Sequence, residues 1–246
     1  MREALPSLQS KFQPDVIIAN GENSAGGFGI TRSIFEELLS YGVSVVTTGN
    51  HWLDKREVLN FKNLTDRLVL PFNMVNVTPK SKGVTILSHG SGVRYAVVNL
   101  CGRYNLDDTN QCPLHAIDEA LDLVPNDVRI RFVDFHAEAT SEKQALGHYL
   151  SGRASLVYGT HTHCPTADER ILNQYTGFVT DVGMTGGYDS VIGMDKDIAI
   201  QRMLGQTKKK FSPAKTGLMT YAVFAEICAV TGQCLSIRRI REAIEA

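Results

Sequence analysis

The chain has 246 residues, 43% of them hydrophobic, with Lys+Arg 25 against Asp+Glu 26. Such a balance excludes a broad electrostatic surface for nucleic acid or an anionic membrane, and no apolar run approaches the ~20 residues that span a bilayer. Length and composition suit one α/β domain over residues 1–246. The five cysteines, without Cys-x-x-Cys spacing or a leading signal peptide, predict reduced thiols in a cytoplasm.

The chain opens inside a helical pattern, with Leu5, Leu8 and Phe12 at helical spacing between Arg2 and Phe12. Strand-then-helix units follow, a pattern that ordinarily begins with a strand. Residues Asp15 to Ala19 predict a strand ending in Asn20-Gly21-Glu22-Asn23, and Ile30, Ile34 and Leu38 a helix closed by Gly42. A second strand, Val43 to Thr47, ends in Thr48-Gly49-Asn50-His51, and Asp54 starts a short helix. Gly83 to Ser88 and Val93 to Leu100 read as a hairpin, Pro113 opens a helix, and Arg129 to Phe135 is a strand that runs into His136. A helix capped by Thr140 or Ser141 and closed before Gly152 leads to the apolar Leu156-Val157-Tyr158, after which comes Gly159-Thr160-His161-Thr162-His163. Arg170 to Asp181 alternates around a turn, Asp181 to Gly187 reads as a flexible loop, and Asp195 to Leu204 as a helix. Lys208-Lys209-Lys210 is a solvated turn, and Leu218 to Ala229 with Cys234 to Ile240 is a closing hairpin that bends at Thr231-Gly232.

The chemistry-bearing residues gather at strand ends. In extended chain, residues two apart share a side, so His161 and His163 can face one point. Open α/β sheets place ligands beyond the carboxyl ends of their strands, where Glu22, Asn23, Asn50, His51 and His136 also fall. Singly, each has a plain alternative: Glu22 a solvated loop residue, Asn50 a turn residue, His136 a buried histidine bonded to main chain. Jointly they form a mixed nitrogen and oxygen set too large for one tetrahedral zinc and suited to two borderline metals, with Glu22 able to bridge. Cys164 is a weaker candidate for a soft ligand. Gly26-Gly27-Phe28-Gly29 matches neither a phosphate loop nor a dinucleotide fingerprint, and no nucleophile elbow is present.

Taken in order, Asn20-Gly21-Glu22-Asn23, Gly49-Asn50-His51, the run from Asp134-Phe135-His136 to Glu142-Lys143, Gly159-Thr160-His161-Thr162-His163 and Asp181-Val182-Gly183-Met184-Thr185-Gly186 resemble the YmdB-like branch of the calcineurin-type metallophosphoesterases. The resemblance implies an α/β fold, the four-layer αββα metallophosphoesterase sandwich, and two metal ions of iron or manganese type. It also implies hydrolysis of 2′,3′-cyclic nucleotides to 3′-nucleotides through a metal-bridging hydroxide. By the same resemblance Glu22 bridges both metals, Asn23 and His163 serve one, Asn50, His136 and His161 hold the other, and His51 is the proton donor. The substrate is a small cyclic nucleotide, and the resemblance is compatible with a homo-oligomer. Members of this branch begin with a strand ending in Gly-Asp, so the first strand of the pattern is expected to be missing here. That departure opens an alternative, a non-catalytic metal- or nucleotide-binding regulator derived from the enzyme by N-terminal loss.

Overall fold

A computed structural model describes residues 1–106 and 109–244; Asp107, Asp108, Glu245 and Ala246 lie outside the described residues. The fold is mixed α/β. The first part contains α1 (Ala4–Phe12), β1 (Ile18–Asn20), α2 (Arg32–Ser40), β2 (Val45–Thr47), α3 (Val58–Phe61) and β3 (Leu68–Val69), whose strands form a parallel sheet in the order β1-β2-β3. Thr31 caps α2 by accepting the Ile34 N–H, and Gly42 turns the chain at φ +96° into the next strand. Leu5 of α1, with Phe35 and Leu38 of α2, packs on Val43 and Val46, so the amphipathic helical faces cover this sheet.

The larger sheet is built from β4 (Val84–Ser88), β5 (Arg94–Cys101), β6 (Ile130–His136), β7 (Leu156–Thr160), β8 (Arg170–Leu172) and β9 (Thr176–Val179), in the order β4-β5-β6-β7-β9-β8. Its central pairs are parallel and its outer pairs antiparallel. Two helices, α4 (Pro113–Asp122) and α5 (Thr140–Tyr149), cover one face, with Ile117, Leu121, Leu146 and Leu150 against Leu100, Val133, Val157 and Phe178. The opposite face meets Val45 and Val69 of the first sheet through Tyr95 and Val97. Further along, Leu156, Tyr158 and Val179 meet Val223, Ala225 and Ile237 of a third sheet. That sheet is antiparallel, in the order β10 (Thr185–Gly187), β11 (Leu218–Ile227) and β12 (Cys234–Ala243), and α6 (Lys196–Met203) precedes its long hairpin.

The structure departs from the expected elements in several places. Neither Thr140 nor Ser141 caps α5: the cap position is Ala139, and Thr140 is the first residue of the helix. The first strand pairs only from Ile18, because the ladder starts where Ser44 and Val45 donate to the Ile17 carbonyl. The helix expected at Asp54 begins at Val58, since the Asp54 carboxylate is bonded to His51 and does not cap. The loop expected over Asp181 to Gly187 contains β10. A ladder uses main-chain groups, so Gly186 and Gly187 pair with Met219 and Leu218 despite low strand propensity.

β1 is hydrogen-bonded to β2 and is the edge strand of its sheet. Beside its other edge lies a cavity of about 1230 Å³. Ile18, Phe132, Leu156, Tyr158, Val223 and Ala225 contribute apolar lining, and Glu22, His136, His161 and His163 also border it. No helix among the described residues is long and apolar enough to cross a membrane.

Candidate metal centre

β1 is parallel to β2 and β6 to β7, so within each sheet the loops that follow emerge at one edge. Their ends carry the candidate residues. The His136 Nε2 atom lies 2.9 Å from Asn50 Oδ1, 3.0 Å from Glu22 Oε2 and 3.1 Å from His161 Nδ1. Glu22 and His136 are each 1% exposed. Glu22 also accepts the His51 main-chain N–H at 2.9 Å. Burial pushes its carboxyl up, but the His136 ring, in charge and hydrogen bond, together with that N–H outweighs burial and holds it down at about 2.

The second group sits alongside. Asn23 Nδ2 is 2.8 Å from His163 Nε2, and the Asn23 Oδ1 atom is buried with no hydrogen-bond partner. His161 and His163 have φ of +104° and +63°, so the backbone between them departs from a regular strand and spreads the two rings. As a result His161 joins His136 while His163 joins Asn23. Burial, followed by the neighbouring His136, lowers the His161 ring to about 4. Cys164 is exposed and outside both groups. The ring of His51 stands apart from the ligand-type atoms. Its Nδ1 is 2.9 Å from Asp54 Oδ2, and Phe28 packs against it edge-on at 5.2 Å.

Candidate atoms of Glu22, His136 and His161 lie within 4.8 Å of one another. Ligands around one divalent ion sit about 3 Å apart when each is about 2.1 Å from it, so three donors at 2.9–3.1 Å from His136 Nε2 fit a shared ion. The orphaned Asn23 Oδ1 beside His163 offers a further oxygen donor, whose burial without a partner is otherwise costly. The donor set is imidazole, amide and carboxylate, which suits borderline metals.

Sequence reasoning did not identify the groups behind the ligands. Thr160 Oγ1 is 3.0 Å from His136 Nδ1 and 2.7 Å from Asp134 Oδ1. Burial pushes the Asp134 carboxyl up, while Thr47, Thr160 and Asn20 hydrogen bonds and the His136 charge pull the other way. Glu138 Oε2 is 3.1 Å from His161 Nε2. Lys143 and Asp181, each with a side chain 1% exposed, pair at 2.6 Å beneath the loop, and Asp181 also accepts from the N–H and hydroxyl of Thr162. The signal available was the polar content of runs that otherwise read as buried: Asp134 within β6 and Lys143 within α5.

A family model described as YmdB-like protein matches residues 1–240. The chain is 41% identical over 240 residues to a 2′,3′-cyclic-nucleotide 2′-phosphodiesterase from Bacillus subtilis (strain 168), covering 98% of this chain and 90% of the relative. Among solved structures, that of a hypothetical protein from Thermus thermophilus matches with a TM-score of 0.89 and 36% identity, covering 99% of this chain and 93% of that one. The structure of a novel phosphatase from Mycoplasma pneumoniae matches with a TM-score of 0.87 and 30% identity, covering 98% and 87%.

Proposed function

The chain belongs to the YmdB-like family, and from that membership we propose that it is a metal-dependent phosphodiesterase that opens 2′,3′-cyclic nucleotides to 3′-nucleotides. It is a hydrolase, in keeping with a phosphodiesterase relative and a phosphatase structural neighbour. The observation that carries the metal-dependent reading is the convergence of Asn50, Glu22 and His161 on His136 Nε2, next to an unpartnered Asn23 Oδ1. In this reading Asn50, His136 and His161 would hold one ion, Asn23 and His163 a second, and Glu22 would lie between them. When bound, two iron or manganese ions would lower the pKa of attacking water and offset the charge on the phosphate oxygens.

The chain's own residues do the rest. Asp54 braces His51 at Nδ1, which leaves Nε2 to carry a proton to the departing ribose oxygen. Phe28, edge-on to that ring, forms part of the surface a base would approach. The main-chain N–H of His51 grips Glu22, so the proton donor and the bridging carboxylate are tied through one residue.

We also read the architecture as the four-layer αββα sandwich of a single domain, with the first strand of the family pattern absent beside β1. The cavity between β1 and the β10–β12 sheet, bordered by Ile18 and Val223, supports that reading. Reduced thiols, a cytoplasmic setting and self-association belong to the same proposal. All five cysteines are free, which supports the first of these.

The test is direct assay. Protein reconstituted with manganese or iron is expected to convert 2′,3′-cyclic AMP to 3′-AMP and to lose turnover on chelation. Tight metal binding without turnover of any 2′,3′-cyclic nucleotide would overturn catalysis and leave the non-catalytic binding alternative.

A further inference from the structure

Three histidines face the candidate centre, and each has its remote nitrogen held from behind. For His163 the holder is the Ile192 carbonyl, 2.7 Å from Nδ1; for His161 it is the Glu138 carboxylate, 3.1 Å from Nε2. Carbonyls and carboxylates accept, so these remote nitrogens carry the protons and the opposite lone pairs face the centre. His136 differs. Its Nδ1 lies 3.0 Å from the Thr160 hydroxyl, which is equally able to donate or accept.

The direction is set one group further back. Thr160 Oγ1 donates to Asp134 Oδ1 at 2.7 Å, while Asp134 Oδ2 accepts from Asn20 Nδ2 at 3.1 Å and from the Thr47 hydroxyl. Asp134 is fully buried. A hydroxyl has one proton. Once Thr160 commits it to Asp134, only lone pairs remain toward His136, and the ring must bring its proton to Nδ1.

We propose that Asp134, acting through Thr160, is a positioning residue that fixes the His136 proton on Nδ1 and so aims the Nε2 lone pair at the metal position. The purpose of the device rests on the metal-dependent reading above; the location of the proton does not. The geometry leaves little slack: a Cβ added at Gly49 would meet the His136 ring at 2.4 Å, so the ring is seated against β2's end as well as held from behind.

The test uses the full chain, ¹⁵N-labelled and metal-free, with long-range ¹H–¹⁵N correlation of the His136 ring from mildly acidic to mildly alkaline pH. In the metal-free ring Nε2 faces the Glu22 and Asn50 oxygens and takes up a further proton while the ring is charged; a proton on Nδ1 throughout is expected, and an unprotonated Nδ1 overturns the proposal even if no variant folds. Zinc affinity is then measured by calorimetry. Thr160→Val and Asp134→Asn are each expected to bind zinc ~10–100-fold more weakly, while Thr160→Ser stays near the parent. Unchanged affinity in folded Thr160→Val and Asp134→Asn would reduce both residues to structural roles and overturn the proposal. If the parent itself binds no zinc, the metal-dependent reading fails, and the ring spectrum still decides the proton's place.

Discussion

His51 does two jobs with two parts of itself. Its main-chain N–H holds Glu22, and its ring, 34% exposed in the side chain, faces outward against Phe28 and Asp54. Removal of the ring therefore leaves the ligand cluster in place. His51→Ala is expected to keep its metal content and lose ~10²–10⁴-fold in turnover of 2′,3′-cyclic AMP. Unchanged turnover would remove His51 from the proton-donor role. Gly49 gives the converse case. A methyl group there would strike the His136 ring at 2.4 Å, so Gly49→Ala should reduce bound metal, read by elemental analysis, before it reduces folding. At this scale the sequence was informative where ligand-type residues follow strands, because Glu22, Asn50 and His136 sit at the ends of apolar runs and the structure brings them together. It was silent on Thr160. A threonine in a strand reads as ordinary β-branched packing, and its contact with Asp134 joins residues 26 positions apart.

The loop between β7 and β8 is anchored by a buried ion pair reaching from α5. Asp181 takes hydrogen bonds from Lys143 and from both donors of Thr162, the residue between the two ligand-type histidines. Lys143→Met would leave the Asp181 charge buried and unpaired, and is expected to cost about 3–5 kcal/mol in urea denaturation. Pairing it with Asp181→Leu should recover much of that stability without restoring the loop. A double variant no more stable than Lys143→Met would show that the pair matters through something other than charge burial. Nearby, β7 allows no Cβ at Gly159, where one would lie 1.8 Å from the Thr180 carbonyl oxygen. The order and type of the main strands were legible from apolar runs and their punctuation. The short β3 and β10 were not, because they are made by pairing with neighbours already in place.

Over the whole molecule, acid should loosen the metal-free protein in two steps of the same sign. His161 has a folded value near 4 against its usual 6.5, so below 6.5 the unfolded chain takes up a proton that the folded chain refuses. Its contribution is complete above about 6.5 and is lost as pH falls toward 4. Glu22, held at about 2 against 4.5, adds a second loss as pH falls from 4.5 to 2. The urea midpoint should fall across the first window, and His161→Gln should flatten it there. A parent midpoint independent of pH across that window would contradict the geometry assigned to His161. The apolar cavity beside β1 is the other property of the whole molecule, since three sheets must fail to close for it to exist. Filling it from β11, as in Ala225→Leu, is expected to raise stability by about 0.5–2 kcal/mol. A lower midpoint would mean that the space is better packed than its volume suggests.

The left-handed backbone at His161 and His163 sets foldability against chemistry. Positive φ at a non-glycine residue costs about 1–3 kcal/mol, and here two such residues stand two positions apart in a single loop. Glycine would relieve that cost at either position while deleting an imidazole. Selection of variants for yield or heat resistance alone would therefore drift toward glycine at 161 and 163, producing sturdier protein stripped of two imidazoles of its candidate metal centre.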